Sequence, residues 1–181
     1  MRIAVFLVGT LMIALLSRRS LAHPHSHGFY RFFACELVLI LIILNVDFWF
    51  ADPLSFHQCV SWFLLFLSII PAVWGFRLLS AVGKPERISV PQTQLAFENT
   101  TTLVTIGIYR YIRHPMYASL LLLGWGVFFK SPSLLGGAIA TGITAFLTAT
   151  AKVEEAENLK RFGSAYARYI AHTRMFIPLI F

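Results

Sequence analysis

Five apolar runs divide this chain, at residues 3–16, 32–50, 60–79, 116–129 and 134–150. In lipid every backbone N–H and C=O must be satisfied within its own segment, which leaves helices as the spanning form for such runs. A crossing helix takes about 20 apolar residues, with roughly 17 at the low end. The second, third and fifth runs meet that length. The first and fourth fall short and are expected to continue into interfacial residues or to lie where the bilayer is thin. Charged side chains make up 13% of the chain, against about a quarter in a soluble domain, so the surface suits lipid better than water. The expected fold is an all-α integral membrane bundle of about five transmembrane helices in one domain. Residues 1–79 supply the first three spans and residues 80–181 the remainder.

Five crossings assign each polar stretch to a side. Residues 17–31, the long connection after Leu79 and the C-terminal tail share one face, and with Arg77 just inside the preceding helix end they hold thirteen of the fifteen Lys and Arg residues. Arg2 and Lys130 fall on the other. The positive-inside rule makes the cationic face cytoplasmic. The expected topology is a multi-pass protein with its N-terminus outside and its C-terminus in the cytoplasm, as in the inner membrane of a bacterium. The net charge of +7 is read as orienting charge, because the cations cluster between apolar runs and no nucleic-acid motif accompanies them. The first run resembles a leader peptide ending at Ser20-Leu21-Ala22. Arg18 and Arg19 stand where a cleaved leader is normally uncharged, so the run is read as a retained helix. Cys35 and Cys59 fall at opposite faces, which forbids a disulfide, and they lack metal-ligand spacing. His23, His25 and His27 are read as part of a basic loop rather than as a metal site.

The connection over 80–114 begins as a loop, with Gly83, Pro85 and Pro91. Its later part mixes apolar, aromatic and arginine residues, as a segment lying at a membrane surface does. Pro115 suits the first turn of the fourth helix, where its missing N–H costs nothing. Only residues 130–133 separate the last two spans, so those spans form a tight hairpin with both outer ends on the cytoplasmic side. Beyond Thr150 the spacing of Val153, Leu159, Phe162, Tyr166 and Tyr169 predicts an amphipathic continuation of the fifth helix, with Gly163 as its weak point.

Two clusters carry chemistry. Residues 107–117 place two arginines, His114 and three tyrosines at the start of the fourth span, and Glu154 and Glu155 follow the end of the fifth. Interfacial tyrosines and arginines are ordinary membrane anchors, and paired glutamates are ordinary on a solvated helix. The hairpin alters that reading, because it brings the start of the fourth span beside the end of the fifth. Carboxylates close to arginine, histidine and phenol groups suit a zwitterion with a cationic centre.

The pattern Gly107-Ile108-Tyr109, then Arg113-His114-Pro115-Met116-Tyr117, then Glu154-Glu155 before Phe162-Gly163 with Tyr166 and Tyr169, resembles the isoprenylcysteine carboxyl methyltransferase family, whose wider relatives are the phospholipid methyltransferases. The likeness covers roughly residues 94–178. It implies an S-adenosyl-L-methionine-dependent methyltransferase in which the C-terminal segment closes the cofactor site at the cytoplasmic end of the bundle. By that resemblance Gln94, Leu103, Val104, Tyr109, His114, Pro115, Met116 and Tyr117 line the cofactor. Glu154 meets its amino group and Arg113 its carboxylate. His114 and Glu155 are the candidates for proton transfer. The acceptor is expected to be lipid-like or prenylated and to enter sideways from the bilayer.

Two positions depart from the pattern. Thr101 stands where the enzyme acting on prenylated proteins has a histidine. Thr150 stands where that enzyme has the arginine that meets the acceptor's carboxylate. The acceptor therefore stays open between a prenylcysteine carboxylate, a phospholipid amine and a small thiol. Two other classes also remain, an NADPH-dependent membrane reductase and a non-catalytic membrane protein. The absence of a soluble-type glycine-rich motif gives no support to a Rossmann domain.

Overall fold

A computed structural model describes residues 1–83 and 102–178, and apart from one isolated β-bridge all regular structure among them is helical. Gln94 and Thr101 lie outside the described residues. Five apolar helices run through the bundle: α1 Arg2–Leu21, α2 His27–Asn45, α3 Phe56–Val82, α4 Pro115–Phe128 and α5 Leu134–Phe162. A short amphipathic helix, α6 Ser164–His172, follows.

Four of the five are long and apolar enough to cross a membrane. The first run, short in the sequence, gains length by winding on through Arg18 and Arg19, so that α1 reaches 20 residues. The fourth stays short. At 14 residues and 1.5 Å per residue, α4 covers about 21 Å, less than the roughly 30 Å of a hydrocarbon core. It starts abruptly because Pro115 occupies its first turn, and it stops at the five-residue turn that leads into α5. The bundle therefore has four long helices and one short one rather than five of equal length.

α5 overshoots instead. It runs 29 residues, about three turns beyond its apolar run, and so carries both glutamates on rigid backbone. Its continuation breaks where the sequence is weakest. Gly163 takes φ +55 and ψ −130, a conformation open to glycine and costly for other residues. The polar stretch after Thr150 is thus two helices at an angle, rather than the single helix its spacing predicts.

α3 packs chiefly on α4, and α2 on α5. The buried Ser61 hydroxyl donates to the Gly126 carbonyl at 2.7 Å, tying α3 to α4. Phe33 and Phe146 stack at 5.4 Å between α2 and α5. The core is made of Leu41, Val127, Ala140, Ile143 and Leu147, whose inner faces meet where these pairs join. α1 lies outermost against α2, with Thr10 donating to Glu36 at 2.9 Å and Arg2 paired with Asp47 at the opposite end.

The hairpin turn between α4 and α5 holds Lys130, which is only 1% exposed although its position predicts a charge at the outer surface. Its ammonium donates to the Gln58 side-chain oxygen at 3.0 Å and the Trp49 carbonyl at 3.2 Å. It also stands 3.5 Å from the centre of the Trp62 ring. A cation this well partnered can leave water without the full desolvation cost.

Candidate active site

At the other end of α4 the chain is held by its own tail. Residues 111–114 pair through the backbone with residues 174–175. The Arg113 N–H donates to the Arg174 carbonyl at 2.8 Å, the His114 N–H to the Met175 carbonyl at 3.1 Å, and the Arg174 N–H to the Tyr111 carbonyl at 3.0 Å. The Tyr169 hydroxyl adds a bond to the Tyr109 carbonyl at 2.7 Å. Phe176, 2% exposed, is driven into the core by its apolar ring, which meets the His114 ring edge-on at 6.3 Å. The tail thus closes over the segment that begins α4 and fixes its backbone.

The two glutamates of α5 face this segment and divide the work. Neighbours on a helix point about 100° apart, so one helix can address two places. Glu154 accepts a bond from the Tyr117 hydroxyl at 2.5 Å. Glu155 takes the Arg113 Nε at 2.5 Å and the His114 Nε2 at 3.3 Å. The other imidazole nitrogen of His114 stands 3.8 Å from Glu154, and the ring lies nearly parallel to Tyr117 at 5.4 Å. Arg113 also donates through Nη1 to the Thr173 carbonyl at 2.5 Å. One guanidinium therefore joins the segment before α4 to α5 and the tail.

These groups border one cleft that is open to its surroundings. Of the residues singled out from sequence, Leu103, Val104, Tyr109, the whole run Arg113 to Tyr117, and Glu154 line it together. Glu155 does not line it; its carboxylate is engaged with Arg113 and His114. Leu79, Asn158, Phe162, Tyr166 and Tyr169 also line it, and none of them is among the cofactor contacts that the resemblance implies. A signal was there. Asn158 and Phe162 follow Glu154 at intervals of four, one above the other on a helix face.

Burial raises the Tyr166 and Tyr169 phenols well above their ordinary value, and nearby Glu154 adds to the effect at Tyr166. Both stay neutral at physiological pH, and Tyr169 serves as a hydrogen-bond donor rather than a base. Thr150, where an acceptor-binding arginine would stand, is fully buried and donates to the Phe146 carbonyl of its own helix at 2.7 Å. It does not line the cleft. Lys152 is exposed on another face of α5. His27, the third of the loop histidines, turns inward to Glu157 at 2.7 Å.

A family model described as phospholipid methyltransferase matches residues 56–165, more than half of the chain. This chain belongs to the phospholipid methyltransferase family. The matched stretch runs from the start of α3 through α5 and so includes both halves of the cleft. Membership makes the protein a multi-pass membrane protein with a methyltransferase role, in agreement with the grouping to which its motifs point. No curated protein and no solved structure matches the chain.

Proposed function

We propose that this phospholipid-methyltransferase family member binds S-adenosyl-L-methionine in the cleft between α4, α5 and the tail and methylates the amine of a lipid-like acceptor. One observation supports this: Glu154, held by Tyr117, lines a single cleft with Arg113 and His114, both of which Glu155 holds from outside the lining. The lining suits the cofactor chemically. A carboxylate faces the cleft for the amino group, the Arg113 guanidinium borders it for the carboxylate, and Leu103, Val104 and Met116 offer an apolar bed for the adenine. When bound, the cofactor supplies a methyl group already activated by its positively charged sulfur, so the protein need only orient the acceptor and exclude water.

An amine is favoured over a carboxylate because Arg113 is the only arginine or lysine lining the cleft among the described residues, and meeting the cofactor's carboxylate leaves no second cation for an acceptor's. An ammonium acceptor must lose a proton before its nitrogen lone pair can take the methyl group. His114 lines the cleft and touches Glu155, so it is placed to accept that proton while the carboxylate steadies the resulting imidazolium. The cluster belongs at the cytoplasmic face under the positive-inside rule, and the acceptor's tail stays in the bilayer.

The test is equilibrium binding of radiolabelled S-adenosylmethionine and of NADPH to the purified protein in detergent. S-adenosylmethionine should bind and NADPH should not. Glu154→Gln and His114→Ala should each weaken binding about 10- to 100-fold, the effect of losing one charge-assisted hydrogen bond. Wild-type affinity in both variants, or binding of NADPH instead, rejects the proposal.

A further inference from the structure

A second cleft opens at the same end of the bundle, lined by Arg110, Tyr111, Ala171, His172, Arg174 and Pro178. None of these borders the first cleft. Its two guanidiniums come from separate parts of the chain, Arg110 from the 3-10 turn Gly107–Arg110 and Arg174 from the tail. The bridge between Ile112 and Arg174 holds them on one rigid piece of backbone. Neither has an acidic partner among the described residues. His172 can add a third donor and Tyr111 a hydroxyl.

Two arginines that line one cleft with no acidic partner among the described residues are arranged for a phosphate, which guanidinium groups grip through paired hydrogen bonds. The surroundings indicate what carries it. Tyr111 of the lining is 56% exposed, Ile177 beside Pro178 is 42% exposed, and Ile106, four residues before Arg110, is 52% exposed. Apolar side chains flanking a phosphate-binding cleft are costly to leave in water but fit an interface, where acyl chains begin just below the phosphates. The cleft also stands at the end where α3 leaves the bundle and α4 enters it. We propose that it binds the phosphate of an anionic phospholipid of the surrounding leaflet, as a site separate from the methyl-transfer cleft. Because Arg113 and His114 donate their N–H groups to the carbonyls of Arg174 and Met175, a lipid held there braces the segment that carries them.

Native mass spectrometry of the full chain, released from micelles containing phosphatidylglycerol and phosphatidylcholine, tests this directly. Wild-type protein should retain phosphatidylglycerol in preference. The double variant Arg110→Gln/Arg174→Gln should lose that preference by about thirty-fold, from roughly fivefold per arginine at an anionic surface. The charge-retaining pair Arg110→Lys/Arg174→Lys should fall between the two, keeping the charge but losing the paired hydrogen bonds that only a guanidinium makes. If the double glutamine variant does not fold, the single Arg110→Gln variant carries the test, with an expected loss of about fivefold. Equal retention of the two lipids by wild type, undiminished retention by the folded glutamine variant, or displacement of the lipid by millimolar inorganic phosphate overturns the proposal. S-adenosylmethionine binding measured on the same samples reports on the first cleft, so failure of one reading is distinguishable from failure of the other.

Discussion

Gly75 lies in α3 where α4 begins, and the space it leaves is already taken. A Cβ at this position would stand 2.9 Å from Cγ and 3.2 Å from Cβ of Pro115. Carbon atoms in favourable contact sit about 3.5–4.0 Å apart, so alanine here forces α3 and α4 apart by something under about 1 Å. The neighbour cannot turn aside, because it is a closed ring, buried, at the first turn of a helix. Overpacking of this kind costs about 1–3 kcal/mol. The displacement matters more than the energy, because Pro115 follows His114 directly and both line the cleft. A reacting geometry misplaced by about 1 Å loses on the order of 100-fold in rate. Gly75→Ala should therefore insert and fold with a lowered Tm, and its turnover should fall by about 100-fold. Gly137→Ala is the control, since its added carbon would meet nothing closer than 3.7 Å and would gain about 0.5–1 kcal/mol of helix stability. The assay is methyl transfer from labelled S-adenosylmethionine to phosphatidylethanolamine in proteoliposomes, with Tm measured in detergent. Turnover in Gly75→Ala equal to that of Gly137→Ala would refute the argument that this contact sets the cleft.

Phe176→Ala should cost about 3–5 kcal/mol, as for other buried aromatics cut to alanine, and should weaken cofactor binding as well as lower Tm, because the ring supports His114. Lys130→Met should lower Tm by leaving the Gln58 oxygen without its ammonium, about 1–3 kcal/mol, while cofactor affinity in a binding assay stays at the wild-type value. Alkaline stability should follow Tyr166 and Tyr169. Their raised values mean that the folded state holds its phenol protons longer than the unfolded chain, so their contribution is whole below about pH 10 and is lost as pH climbs toward the raised values. Tyr169→Phe should flatten that alkaline decline in a Tm-against-pH series, and an unchanged slope would count against burial as its cause.

The helices were legible because lipid demands long apolar runs and short turns, and the hairpin at 129–133 then left little freedom in where its ends could meet. That alone brought Tyr117 to Glu154 and Arg113 to Glu155. What escaped reading depends on groups that leave no mark in composition. The tail grips residues 111–114 through backbone bonds, which any side chains permit. The angle between α5 and α6 turns on the dihedrals of one glycine. The meeting of His27 with Glu157 and the enclosure of Lys130 join residues far apart in the chain. Thr150 shows the reverse case: its substitution for arginine was plain in the sequence, but that it faces the core and not the cleft required the packing of α5 to be known.

The seclusion of Lys130 bears on the shortness of α4. A loop lysine ordinarily obliges its turn to rise to the aqueous boundary, and a helix of 14 residues would have to drag the bilayer inward to meet that demand. Here Gln58, Trp49 and Trp62 stand in for water. The tip of the hairpin is free to rest below the headgroups, and the membrane above it need not thin.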